Sequence, residues 1–558
     1  MNLARARIIR ICLALVFAAA LPIIGSLPAS AHTSSKSLPI LRYDAEVGNP
    51  GWPQSLDPAL GTDGYSIGVF DLVYAGIYKL NYHTYQDVPD VASHYKVSKN
   101  HKTYWFYLRK NARFSNGDPV TAQDEVWTLT RMLAKSTNSP VAMPYFGHIV
   151  GAKKLNSGKT NKLQGVKALG RYVLQVKVDA PLAYFLKTFA YWSNKVLDPR
   201  VVAGHKPGVY LTNDCSAEVG AGPFMFKCRN KSSNKSSFYP PGSTPTITLV
   251  PNPYYYGRHP HIELVIRPYA TYDTGYDAYR ANQIDLTPLP AADVAQFRHS
   301  SQLREFPAPS TQYLLPNMKA APFNNVHCRL AVAYAINQNA LDNIVLHRSW
   351  RPIYSFVPKP IAGAYAGNDN PHYNPAKAKA ELAQCPGGIH NIPLPYYKSG
   401  TDADNEFVAI QNMLSQVGIT VKPVGLPVDT WLTDVEEPEN TTHNSLVQLQ
   451  WGMDFPDAED FCTLLLRGGE TYDVGQYNDP TYNRLVDAAE VNFNPVQRTK
   501  MYIRAQHMAL STGAAIMLGQ QVQDAVVKPW VHGLIAAYGN SFVTPVGGSW
   551  ANVTISKH

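Results

Sequence analysis

Cysteine is scarce in this chain. Six residues in 558 are too few for a fold stapled together by disulfides. Charge is also thin, at 16% of residues against 45% apolar. That balance is the reverse of the low-hydrophobicity, high-charge composition that keeps a chain disordered. The 50 basic and 41 acidic residues leave a formal charge of +9, mild at this length. No Lys/Arg run suits a nucleic-acid tail and no cysteine–histidine spacing suits a finger, so no nucleic-acid partner is expected. No cysteine pair has metal-ligand spacing, and neither a metal nor a cofactor is expected. Beyond the N-terminus no apolar run approaches the ~20 residues that cross a bilayer. What is present is enough apolar material for three to five domain-sized units at roughly 100–200 residues each. Tyrosine is abundant, at 34 copies. It gives stiff contact area with one polar tip, suited to ligand surfaces and to ordinary secreted folds alike.

Residues 1–31 read as an address. Arg5, Arg7 and Arg10 form a basic start, an apolar stretch covers 11–24, and Ala29-Ser30-Ala31 is a small-x-small cleavage site. Removing this leader takes away three arginines and lowers the charge to +6. Cys12 stands at the start of the apolar stretch, not after it, so no lipid anchor is expected. The mature protein should start at His32, exported and soluble. Export permits disulfides. Five cysteines remain, so at least one is unpaired within the chain. Cys215 and Cys228, which bracket a Gly-rich turn at 218–223, are the expected pair.

Short strands and helices then alternate. Residues 102–108 (KTYWFYL), 172–178, 246–250 and 262–268 read as strands. A helix is predicted over 121–133, with Thr121 and Asp124 at capping-box spacing. Further helices are predicted over 69–80, 329–340, 404–417, 480–491 and 495–510, and one opening at Asn374-Pro375 and stopping at 385–388. Residues 392–397 and 419–424 flank the 404–417 helix as a strand–helix–strand crossover, which argues for parallel pairing and an α/β fold.

Several motifs point to chemistry. Gly64-Tyr65-Ser66-Ile67-Gly68 fits the G-x-S-x-G elbow of a serine hydrolase. Turn residues precede it, however, where the elbow needs a strand, and Asp63 or Ser66 suits a helix cap better. Gly158-Lys159-Thr160 has the wrong glycine spacing for a phosphate loop. His259-Pro260-His261 lacks a third ligand and reads as a surface loop, as do the acids at 436–439. The stretch 451–457 (WGMDFPD) differs from these. It follows a strand-like run, 445–449, and sets Trp451, Asp454 and Phe455 at a strand end, where open α/β sheets hold ligands. A carboxylate framed by aromatic rings can hold an ammonium group. An Asp-Pro-Asp turn with core aromatics fits the same residues.

Eight stretches occur in register with one family: 55–66 (SLDPALGTDGYS), 73–80 (VYAGIYKL), 103–124 (TYWFYLRKNARFSNGDPVTAQD), 251–257 (PNPYYYG), 273–285 (DTGYDAYRANQID), 322–337 (PFNNVHCRLAVAYAIN), 373–383 (YNPAKAKAELA) and 526–534 (VVKPWVHGL). On these the chain resembles the family 5 extracellular solute-binding proteins of ABC importers, the dipeptide- and oligopeptide-binding type. The resemblance implies a two-lobed periplasmic-binding-protein clamp with an added third domain and discontinuous domains. Lobe I would take 32–75, 200–310 and 516–558, the additional domain 76–199, and lobe II 311–515. It implies a non-enzymatic monomer, periplasmic or extracellular, that carries a peptide or other small polar ligand to membrane permease subunits. Trp451 and Asp454 match a Trp-x-x-Asp motif whose carboxylate binds a peptide α-ammonium. Phe455 and Tyr65 are placed with them. Where peptide binders often carry tyrosines before a Val-Lys-Pro-Trp-like stretch, this chain has Gly519, Gln520 and Gln521. Amides there leave room for the other cargoes of the family: nickel complexes, haem, opines or sugars.

Overall fold

Alternation along Thr103–Leu108 decides the first sheet. Tyr104, Phe106 and Leu108 are buried, while Thr103, Trp105 and Tyr107 keep solvent contact. That two-residue period suits a strand with one face on a core. The computed structural model describes residues 37–47, 55–62, 64–82, 84–207, 218–227, 246–269, 271–398, 400–427, 430–431, 446–470, 472–535, 544–545 and 549–557. The leader, Cys215, Cys228 and the acids at 436–439 lie outside these residues. Thr103–Leu108 sits inside a four-stranded antiparallel sheet, ordered Ala92–Val97, Thr103–Leu108, Val173–Lys177, Val166–Gly170. The helix Ala122–Leu133 packs Leu129, Met132 and Leu133 into the same core. It starts on the expected capping box: Thr121 accepts from the Asp124 amide, and the Asp124 carboxylate accepts from the Thr121 amide at 2.7 Å.

Ten strands of the described residues form a second, mixed sheet. Ile40–Val47 runs parallel to Glu263–Tyr269 and to Leu286–Pro288; the remaining pairs are antiparallel. The strand Ile516–Val527 holds this sheet together. Its first half pairs with Ser310–Pro316 and Trp350–Arg351, and its second half with Leu303–Pro307 and Leu286–Pro288. Ser310–Pro316 pairs in turn with Leu446–Gly452. One continuous strand therefore serves a core built from residues of 41–74, 197–286 and 525–553, and two further cores built from 313–518.

The predicted crossover is present. Ile392–Tyr397 and Val421–Leu426 pair in parallel, joined by the helix Thr401–Ser415. Gly418, at φ 94°, turns the chain after that helix, a conformation glycine adopts without strain. Pro375–Leu382 opens on Asn374, whose side chain accepts from the Lys377 amide. Two predicted helices are corrected. The one expected over 69–80 runs Gly64–Val73, and Tyr78–Asn81 is a strand paired with Gln86–Pro89. Past the helix end, Gly76 bridges Lys195 in an antiparallel contact so close that a Cβ there would lie 2.5 Å from the Asn194 carbonyl oxygen. The helix expected over 329–340 runs Val326–Ala335 and stops, because Asn337 caps a new turn by accepting from the Ala340 amide.

A disulfide joins Cys328 to Cys385, with Cα atoms 4.8 Å apart. It ties the helix Val326–Ala335 to the chain just beyond Pro375–Leu382. Cys462 is a buried free thiol. The bridge spans 57 residues, a loop whose closure contributes about 4 kcal/mol in the chain-entropy account. The Cys328→Ser/Cys385→Ser double variant should therefore unfold several degrees lower in scanning calorimetry. A midpoint equal to that of the unmodified protein would contradict the bridge's contribution.

Candidate ligand-binding site

The strand Leu446–Gly452 ends beside Ser310–Pro316, with Trp451 opposite Thr311. The Met453 amide donates to the Pro309 carbonyl at 3.0 Å, and the chain then turns into the helix Glu459–Leu466. The helix places Asp460 in its first turn. One Asp460 carboxylate oxygen accepts from the Asp454 amide at 2.8 Å, and the other accepts from the Trp451 indole N–H at 3.4 Å. Asp460 thus fixes both residues of the Trp-x-x-Asp pair. The Trp451 ring lies tilted against Tyr472, with centroids 5.2 Å apart.

Four acids fall within seven residues here: Asp454, Asp457, Glu459 and Asp460. Two cations reach them, and both go to Asp457. Lys187 Nζ stands 2.8 Å and Arg498 Nη1 2.7 Å from its carboxylate, and Lys187 also donates to the Pro456 carbonyl at 2.7 Å. Burial alone would raise the Asp457 carboxyl, but these two cations outweigh it and hold it well below the usual carboxylate range. The other three form no ion pair among the described residues, and Arg498 offsets the rise at Glu459 only in part. Burial, then the Glu459 carboxylate, push Asp454 well above its ordinary value. Burial and neighbouring acids do the same to Glu459 and Asp460. Asp454 is 7% exposed and, among the described residues, has no cationic partner. A carboxylate so placed is either protonated or completed by a cation from outside.

The remaining expected residues divide. Phe455 is 1% exposed and packs between Tyr145 and Tyr184, with centroids 6.1 and 5.9 Å away. It belongs to the core under the four-stranded sheet and not to a ligand wall, because its side chain diverges from that of Asp454 as the chain turns. Gln520 is 6% exposed, and its amide donates to the Ala308 and Lys359 carbonyls at 2.7 and 2.6 Å. Both its donors are committed to holding backbone. Gln521 keeps solvent contact and accepts from Gln450 at 3.1 Å, next to Trp451. Tyr65 lies in the helix Gly64–Val73, and its side chain is outside the description. Ser66 is inside that helix, fully buried, and accepts from the Ser55 amide at 3.2 Å. Among the described residues no strand leads into it, and Ser66 sits within the helix where the nucleophile elbow would need a strand-to-helix turn. His259 Nδ1 lies 3.1 Å from the Asn252 carbonyl, and no metal-binding cluster occurs among the described residues. Lys187, Arg498, Asp460 and Gln450 were not singled out from the sequence. The acid density of 454–460 was the available signal for their neighbourhood.

Residues 87–473 match the bacterial extracellular solute-binding proteins, family 5, in their middle region. The chain belongs to this family. Its family 5 relatives include the periplasmic oligopeptide-binding protein OppA of Salmonella typhimurium, 25% identical over 80% of this chain and 81% of that one. The periplasmic murein peptide-binding protein MppA of Escherichia coli is 25% identical over 86% and 88%. The solved structure of E. coli MppA aligns with a TM-score of 0.77 at 22% identity, covering 94% of this chain and 99% of that one. Haemophilus influenzae OppA in complex with RPPGFSPFR aligns at 0.75 and 21%, with the same coverage. The fold of this family 5 protein is accordingly the expected mixed α/β clamp of two lobes with an added domain. Among the described residues, no helix is long and apolar enough to cross a membrane.

The buried acids set a pH dependence for the ligand-free protein. Burial and neighbouring acids raise Glu490 to about 7, and burial raises Asp87 to about 7 with the nearby Asp457 adding to it. Together with Asp454, Glu459 and Asp460 they bind more protons folded than unfolded above the ordinary carboxylate range, so lowering pH stabilises the folded state there. Asp457 titrates lower and does not oppose this. The unliganded protein should melt at a higher temperature at about pH 5 than at about pH 8, in calorimetry at constant ionic strength. A fall in midpoint over that interval would contradict the charge balance of the site.

Proposed function

We propose that this protein is an exported, non-enzymatic receptor of an ABC importer that captures peptides by their free α-amino group and delivers them to membrane permease subunits. The observation that carries the reading is Asp454: a buried carboxylate with no cation among the described residues, its backbone amide held by Asp460 beside Trp451, just past the end of a strand that pairs with Ser310–Pro316, itself the neighbour of the shared strand Ile516–Val527. A peptide α-ammonium supplies the missing charge. Trp451 lines the same subsite, and Gln450 and Gln521 offer amides to backbone or water farther along. The names of the relatives OppA and MppA, both peptide-binding, favour this cargo. In the proposal lobe I comprises 32–75, 200–310 and 516–558, the additional domain 76–199, and lobe II 311–515. The lobes close on the ligand as a hinge, and bridging waters around its side chains tolerate varied sequences. The protein works as a monomer, cleaved after Ala31 and without a lipid anchor.

Asp454→Asn keeps the shape and removes the charge. It should weaken binding of free-amino peptides by ~2–5 kcal/mol, the usual loss when one partner of a buried charge pair is removed. N-acetylated peptides should bind the unmodified protein poorly, and the substitution should barely change them further. Pairing with an ammonium requires the ionised carboxylate, so binding should release a proton and weaken as pH falls through the raised Asp454 value. Titration calorimetry in buffers of different ionisation enthalpy reads all three. Equal binding of free and acetylated peptides to the unmodified protein would remove Asp454 as the anchor and return the site to a chelate or sugar ligand.

A further inference from the structure

Charge is distributed very unevenly along the chain. Residues 76–199 hold 18 Lys and Arg against seven Asp and Glu, a net +11, while the whole chain is +9. Everything outside this block is therefore net −2. Twelve cations of the block are exposed, and among its described residues Asp179 is the one exposed acid. Solubility alone is served by mixed signs; a single-sign surface attracts a partner of the opposite sign.

The four-stranded sheet determines how this charge is presented. Its inner face is core, and its outer face is open. Across the four strands Lys96, Trp105, Gln175 and Lys167 stand in one row. His94, Tyr107 and Val173 form the next row, and Thr103 with Lys177 flanks the first on its other side. None of these side chains is buried. The His94 ring stacks on Tyr107 with centroids 4.5 Å apart, and the Lys96 ammonium stands 5.7 Å above the same ring. Lys99 follows the edge strand Ala92–Val97, and Arg171 occupies the turn between the last two strands. Among the described residues Lys96, Lys99, Lys167 and Lys177 have no carboxylate partner.

We propose that this face docks on an anionic phospholipid bilayer. Four adjacent strands make an open surface about 14 Å across. Lys96, Lys99, Lys167, Arg171 and Lys177 spread over that surface and its corners, which suits a planar array of phosphates better than a single polymer strand lying in a groove. Half-exposed Trp105 and Tyr107 between lysines have the character of side chains that settle at headgroup level, with an apolar body and a polar edge. Docking through the added domain leaves the ligand cleft uninvolved, so the inference does not depend on which cargo the cleft holds.

Co-sedimentation with vesicles tests it. The exported protein should bind phosphatidylcholine vesicles containing about one third phosphatidylglycerol, and ignore pure phosphatidylcholine. Binding at about 50 mM NaCl should be lost at about 500 mM, where screening shortens the reach of surface charge. The Lys96→Glu/Lys167→Glu/Lys177→Glu variant should partition at least about tenfold less, with melting temperature and cargo affinity unchanged. Should that variant fail to fold, the corresponding Lys→Gln triple should show a smaller loss in the same direction. Undiminished vesicle binding by either folded variant would overturn the proposal, as would no binding at low salt. Retention on heparin or an oligonucleotide without vesicle binding would also overturn it, in favour of a soluble polyanion.

Discussion

The ion cluster of Asp457 with Lys187 and Arg498 is the contact on which the site depends. Lys187 belongs to the short helix Phe185–Thr188, and Arg498 to the helix Pro495–Leu510. Asp457 lies in the turn between the Trp451 strand and the Asp460 helix, so one carboxylate pins that turn to two distant parts of the chain. Breaking such a pair leaves buried charge behind, which makes it a demanding constraint. It also absorbs the cations near the turn. Asp454, three residues earlier, has none among the described residues, and the charge imbalance of this turn follows from that division.

Aromatic packing reinforces the same junction. Phe455 enters the core beneath the four-stranded sheet between Tyr145 and Tyr184. Asp454 and Phe455 are neighbours in sequence with opposite destinations, one toward an unpaired charge and the other toward the core. The Asp454 backbone is held by the packing of Phe455 and by the Asp460 carboxylate on its amide, so the position of the residue is set before any ligand arrives. Preorganisation of this kind reduces the ordering cost of binding.

Local features were legible in the sequence, and distant ones were not. The capping box of Thr121 and Asp124, the Asn374-Pro375 helix start and the crossover around Thr401–Ser415 depend on residues a few positions apart. Trp451 and Asp454 were singled out by a family motif, and Asp460 contacts both. Of the two partners of Asp457, Lys187 lies 270 residues away and Arg498 lies 41 away, and no spacing rule predicts either. The Cys328–Cys385 bridge was equally hidden, since the five cysteines after residue 31 permit many pairings. Gln520 was misleading for another reason: an amide reads as a ligand contact until its backbone acceptors, Ala308 and Lys359, are seen. The basic block 76–199 was masked by averaging, because a whole-chain charge of +9 conceals a local +11.

Ile516–Val527 is paired along both halves, to different neighbours, and Gln520 bolts its middle to two loops. A connection of this sort does not swing like a slack tether. Any change of angle between the regions it joins must twist a continuous hydrogen-bonded ladder, and a twisted ladder resists and recoils. The crossing is in that sense a leaf spring: it confines the motion to a narrow arc, and it stores in the backbone part of the work done when the clamp is bent away from its resting angle.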